Sequence, residues 1–132
     1  GELLWVITMT MGMHIIMELY GCPSELIARV SNVKRIFDEL IEEAEINRIS
    51  EAYHQFRPYG VTGIVLLEES HISVHTWPEY GYVAMDIYTC GSNKKAIKAA
   101  KIAEKLFMPE KILKKELIRG LEHETSLTRC LP

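Results

Sequence analysis

Glu69-Ser70-His71 occupies a short gap between two runs that read as β-strands, where a hairpin turn is expected but neither Gly nor Asn is present. A tight turn without a residue tolerant of positive φ is liable to strain, and strain in a peptide bond is one route to activating its own cleavage. On turn chemistry alone, Ser70 reads first as an ordinary polar turn residue beside an exposed His71, and the strain signal by itself is weak. His71 and His75 stand four apart and could be joined by Cys90 as three ligands for zinc. That spacing is common by chance, and no fourth ligand is near in sequence. A lone His on a strand is usually a hydrogen-bonded structural residue, so no metal is expected. Cys90 taken alone reads as a small buried hydrophobe. Register adds one constraint: if Trp77 pairs with Tyr82, Cys90 falls opposite the Glu69-Ser70 junction, within reach of whatever forms there.

The elements that must position these residues follow from periodicity. Met13 to Tyr20 is an apolar, β-branched stretch ending in Gly21-Cys22-Pro23, a strand followed by a turn. From Ser24 onward, Leu26, Ile27, Val30, Val33, Phe37, Leu40, Ile41 and Ala44 recur at helical spacing and predict one long amphipathic helix. Ile46 to Phe56 and Thr62 to Leu67 read as strands, separated by Pro58 and Gly60. Ile72–Trp77 and Tyr82–Thr89 alternate at period two around the loop Pro78–Gly81 and predict an antiparallel hairpin. Asn93 to Phe107 carries a second helical pattern, capped by Ser92 or Asn93, and Ile112 to Ile118 makes a last strand. Several strands with two long helices predict an α+β fold: a two-layer sandwich with an antiparallel sheet and its helices on one face. The other sheet face then needs cover, part of it from a second copy of the chain.

Composition narrows the function classes. The chain of 132 residues is 48% hydrophobic and 25% charged, which suits one soluble globular domain over 1–132 and argues against disorder. A net charge of −3 leaves no electrostatic footprint for nucleic acid. Leu3 to Met17 is uncharged and apolar but shorter than the roughly 20 residues a spanning helix needs, and Thr8, Thr10, Gly12 and His14 interrupt it. No membrane association is expected. The first basic residue is Arg29, so export is not indicated, and three scattered cysteines do not describe a disulfide framework. A cytoplasmic location is expected.

The string from Glu69 through His75, Trp77, Pro78 and Glu79 to Tyr82, followed by Asp86-Ile87-Tyr88-Thr89-Cys90-Gly91, resembles the family of prokaryotic S-adenosylmethionine decarboxylase proenzymes. Gly12-Met13-His14, Glu18-Leu19-Tyr20-Gly21-Cys22 and His54-Gln55-Phe56-Arg57-Pro58-Tyr59-Gly60-Val61-Thr62-Gly63 resemble it too. The likeness runs from about Gly12 to Gly120, with no family feature in Gly1 to Met11 or Leu121 to Pro132.

The resemblance implies that the proenzyme cuts itself between Glu69 and Ser70, giving a β chain of 1–69 and an α chain of 70–132. Ser70 attacks the preceding carbonyl, and elimination and loss of ammonia turn it into a pyruvoyl cofactor. That group condenses with the substrate α-amine and accepts the electrons released with carbon dioxide, as pyridoxal phosphate does elsewhere. By the same resemblance Thr62 and His75 support processing, with Thr62 standing where many relatives have Ser. Cys90 protonates the product carbon, Phe56 and His75 flank the adenine of S-adenosylmethionine, and Glu79 accepts from its ribose hydroxyls. The product is the aminopropyl donor for spermidine synthesis, made by a homodimer of processed protomers. Ideal strand separates Ser70 from His75 by roughly 16 Å, so both serve one site only if the chain bends or the site is shared across a dimer. Two other readings stand: an arginine decarboxylase of the same fold, and a non-processing homologue that pairs with an active partner.

Overall fold

The computed structural model describes residues 12–120 and the backbone of residues 129–130. Its strands are β1 (Gly12–Tyr20), β2 (Arg48–Gln55), β3 (Val61–Leu67), β4 (Ser70–Trp77), β5 (Tyr82–Thr89), β6 (Lys111–Arg119) and β7 (Arg129–Cys130). They form one antiparallel sheet in the order β2-β3-β4-β5-β1-β6-β7. The helices are α1 (Ser24–Ile27), α2 (Val30–Glu43) and α3 (Asn93–Leu106). The α+β sandwich expected from the pattern of elements is therefore the fold.

Period-two alternation decides which side of the sheet the helices cover. Met13, Ile15, Met17 and Leu19 of β1, Ile72, Val74 and Thr76 of β4, and Val83, Met85, Ile87 and Thr89 of β5 are all buried. They meet Val33, Ile36, Phe37, Leu40 and Ile41 of α2 and the alanines 96, 99, 100 and 103 of α3. Burial of these apolar side chains from water is the main stabilising contribution, at roughly 1.5–3 kcal/mol for each large one. The intervening residues, among them His14, Glu18, His71, Ser73, Asp86 and Tyr88, point to the other face, which no helix among the described residues covers. Ile64, Leu66, Trp77 and Leu113 stand at least two-fifths exposed there.

One expectation is corrected: the helix from Ser24 is not continuous. Arg29 is extended, with φ −122° and ψ 145°, and separates α1 from α2. The apolar period runs through the break unaltered, so the cause lies outside the helix. The Gln55 side chain donates to the Ala28 carbonyl at 2.9 Å and accepts from the Val30 N–H at 2.8 Å, while Gly60 N–H donates to Ala28 O at 3.0 Å. The end of β2 and the loop that follows it thus supply partners to backbone groups that a continuous helix would have paired internally. Pro78–Tyr80, expected as plain loop, forms a 3₁₀ turn closed by Gly81 at φ 61°. Gly81 also lies so close to the Cys22 backbone that a Cβ would approach its carbonyl oxygen to 3.0 Å. The readings placed on residues 1–11 and 121–128 lie outside the described residues.

Candidate active site

Leu67 pairs with Ser70, so β3 and β4 are joined by the two-residue turn Glu68-Glu69. In place of Gly or Asn, the turn is tied to the segment before β2: Glu68 N–H donates to the Asn47 carbonyl at 3.0 Å, and Asn47 Nδ2 donates to Glu68 Oε2 at 3.1 Å. Ser70, with φ 157°, enters β4 half-buried. Trp77 does pair with Tyr82, and the same register pairs Ser70 with Thr89. Cys90 therefore arrives beside the junction, where its N–H donates to the Glu69 carbonyl oxygen at 2.8 Å. The Glu69 side chain lies over Gly91, where any Cβ would run into its carboxylate. Ser92 then caps α3 by accepting from Lys95 N–H.

Cys90 is exposed, which corrects its reading as buried filler. The buried thiol is Cys22, whose pKa burial pushes up to about 11. Tyr88, two residues before Cys90, has its pKa raised by burial first and then by the neighbouring Cys90 thiol, against the opposing charge of Arg119. Arg119 lies over the Tyr88 ring at 4.8 Å.

Phe56, Thr62, His75 and Glu79 gather at the other end of β4. Thr62 and His75 are paired across β3 and β4, and Thr62 Oγ1 and His75 Nδ1 are hydrogen-bonded at 3.1 Å on the open face. Phe56, just beyond β2, is exposed and lies edge-on to His54 at 4.7 Å. Its Cβ packs near Gly60, beside the Thr76 carbonyl. Glu79 lines a cleft with Ser24, Arg29 and Tyr59, in which the Arg29 guanidinium sits 5.2 Å from the Tyr59 ring centre. Within one chain these four residues do not meet Ser70 and Cys90. Ser70 shares parity with buried Ile72 and Val74, so it and His75 lie on opposite faces of the sheet.

Sequence reasoning missed a polar group on the open face. His14 of β1 and His71 of β4 both approach Asp86 of β5, whose carboxylate also accepts from Ser73 Oγ. Burial pushes the Asp86 pKa up, but the bonds from Ser73 and His14 outweigh it, and the carboxyl ends below its ordinary value. The available signal was Asp86 itself, an acid within an otherwise apolar strand. Among the described residues, no helix is long and apolar enough to cross a membrane.

An antiparallel sheet backed by helices thus carries a serine at the head of a strand, with the Cys90 N–H on the carbonyl before it. The family model described as S-adenosylmethionine decarboxylase matches residues 13–120. An S-adenosylmethionine decarboxylase proenzyme from Archaeoglobus fulgidus is 50% identical over 112 residues, covering 85% of this chain and 100% of that one. The proenzyme from Aquifex aeolicus is 42% identical over 117 residues, covering 89% and 87%. The crystal structure of the adenosylmethionine decarboxylase from Aquifex aeolicus superposes with a TM-score of 0.83 at 41% identity, over 87% of this chain and 95% of that one. The chain belongs to the S-adenosylmethionine decarboxylase family.

Proposed function

We propose that this chain cuts itself between Glu69 and Ser70 and then decarboxylates S-adenosylmethionine through a pyruvoyl group derived from Ser70. The observation that carries the reading is the Glu69 carbonyl, whose oxygen already accepts the Cys90 N–H at 2.8 Å while the next residue offers a hydroxyl. In the cleavage, Ser70 Oγ bonds to the Glu69 carbonyl carbon, the C–N bond to Ser70 breaks, and the hydroxyl proton ends on the freed amine. The Cys90 N–H faces the oxygen on which negative charge develops, which is where a fixed donor accelerates acyl transfer most. Elimination releases residues 1–69 with a carboxylate at Glu69 and leaves dehydroalanine at position 70. Water then enters, ammonia leaves, and residues 70–132 begin with the pyruvoyl group. The half-buried, strand-leading position of Ser70 suits this conversion, because the new group stays next to the segment that carries Cys90.

The pyruvoyl group supplies an electron sink for the pair released as carbon dioxide departs. The chain's own side chains do the rest. Cys90 is exposed, and its thiol supplies the proton destined for the product carbon. Phe56 offers a flat apolar surface to adenine, with His75 on the opposite side, and Glu79 accepts from the ribose hydroxyls. Thr62 and His75 support processing. The product is the aminopropyl donor for spermidine synthesis, made in a reducing cytoplasm that keeps the Cys90 thiol free.

The two groups of residues lie roughly five strand residues, or about 16 Å, apart, on opposite faces of β4. This supports a site shared between two copies. Two measurements test the reading. Mass spectrometry of incubated protein should find 1–69 and a pyruvoyl-blocked 70–132, and Ser70→Ala should stay whole; equal cleavage of that variant would indicate a contaminating protease. Carbon dioxide release should be faster from S-adenosylmethionine than from arginine. Activity only on arginine would reassign the substrate, and an intact chain inactive on both would make it a non-processing homologue.

A further inference from the structure

Three side chains on neighbouring strands of the open face aim at one point. His14 and His71 flank Tyr88 in a single register row across β1, β5 and β4, and Asp86 lies two residues back on β5 with the same parity. His14 Nε2 is 2.5 Å from Asp86 Oδ2, and His71 Nε2 is 3.5 Å from that same oxygen. The other carboxylate oxygen accepts from Ser73 Oγ, which fixes the rotation of the carboxylate and keeps Oδ2 turned toward the imidazoles. All three donor atoms fall within 4.8 Å of one another. The side chains are 19%, 31% and 22% exposed, shielded from bulk water yet reachable by a small ion.

A simple histidine–aspartate bond needs one imidazole. The second nitrogen, at 3.5 Å from the same oxygen, is too far for a good N–H···O bond. That spacing is instead close to the separation of about 3.3 Å between ligand atoms around a tetrahedral ion with bonds of about 2.0–2.1 Å. The geometry points to a site for one divalent ion of the zinc class, held by His14, His71 and Asp86. Seating the ion requires the His14–Asp86 contact to open by about 0.8 Å, a displacement that a small side-chain rotation supplies. Two imidazoles and one carboxylate select such an ion over calcium or magnesium, which favour oxygen-rich sets. Ser73 occupies the place of the outer hydrogen bond that orients a ligating carboxylate. Three protein ligands leave a fourth position for water. The set differs from the His71, His75 and Cys90 grouping considered from spacing: His75 lies two register rows away, across from Ala84.

The test uses the full chain after chelator treatment, with zinc alone followed by calorimetry and cobalt(II) alone followed by its visible absorption. One ion per chain is expected, with cobalt bands of tetrahedral intensity and a melting temperature raised by zinc, since a ligand that binds only the folded state stabilises it. His71→Gln and Asp86→Asn should each weaken binding more than tenfold, Ser73→Ala by roughly tenfold, and Cys90→Ser not at all. His71→Gln changes the most exposed of the three ligands, so with its circular dichroism unchanged it decides the matter even if Asp86→Asn misfolds. Absence of stoichiometric binding, equal affinity in the His71→Gln protein, or loss of binding in Cys90→Ser would each overturn the site.

Discussion

The two ends of β4 are built differently. At its start Ser70 faces the helix side, next to a turn held by backbone bonds from Cys90 and to Asn47. Toward its end His75 and Trp77 face the open side, held by side-chain contacts with Thr62 and a stacked row in which Trp77 and Tyr82 lie 5.1 Å apart and Tyr82 and Tyr20 5.2 Å. One end is arranged around a peptide bond, the other around surfaces that a flat, polar ligand can use. Strand alternation keeps a single chain from joining them, which is the ground for the proposed site shared between two copies.

Co-expression is the strongest way to break this comparison. Ser70→Ala and His75→Ala proteins should each be inactive alone, and mixed dimers should recover activity because one of their two sites carries neither change. Failure to recover any activity when mixed dimers are isolated would mean that both ends act within one chain. A smaller effect sharpens the first end. Cys90→Ala keeps the N–H that faces the Glu69 carbonyl, so cleavage should persist while carbon dioxide release falls by roughly 10² to 10⁴. A processed variant with unchanged turnover would remove the thiol from the reaction.

The next prediction concerns the open face between the two ends. A Cβ at Gly12 would meet the Tyr88 ring at 2.6 Å and the Thr89 carbonyl at 2.7 Å. The second is backbone and cannot swing aside, so Gly12→Ala should lower stability by about 1–3 kcal/mol, measurable by chemical denaturation. Smallest is the acid dependence due to Asp86. Its folded pKa is depressed, so its stabilisation is complete above the unfolded carboxyl value of about 4 and is lost as pH falls through the lower folded value. Stability of the native sequence should therefore fall more steeply below about pH 4 than that of Asp86→Asn, and parallel slopes would show that the Ser73 and His14 bonds do not hold the carboxylate.

Much of this was legible in the residues. The alternation in Ile72–Trp77 and Tyr82–Thr89 set the hairpin register, and that register alone put Cys90 beside the Glu69-Ser70 junction, as found. The break at Arg29 was not legible, because the apolar spacing of α1 and α2 continues through it and the partners that end the helix, Gln55 and Gly60, arrive from another hairpin. The meeting of His14 with Asp86, 72 residues apart, depends on β1 inserting beside β5, which no local pattern announces. Cys90 was misjudged as filler when taken alone, since residue type says little about a position just past the end of a strand.

The order of strands has a consequence for the protein if its turn is cut as proposed. Residues 1–69 contribute β1, β2 and β3, and residues 70–132 contribute β4 to β7, yet β1 lies between β5 and β6. The two pieces are therefore interleaved like clasped fingers, and neither can leave without unzipping hydrogen-bond ladders on both sides of β1 as well as the seam between β3 and β4. The proposed cut would remove the one tether and leave these ladders in place. The cut molecule should behave as a single body in dilute solution, yet after full denaturation its recovery should depend on concentration, because two strangers must then find each other where one chain once folded by itself.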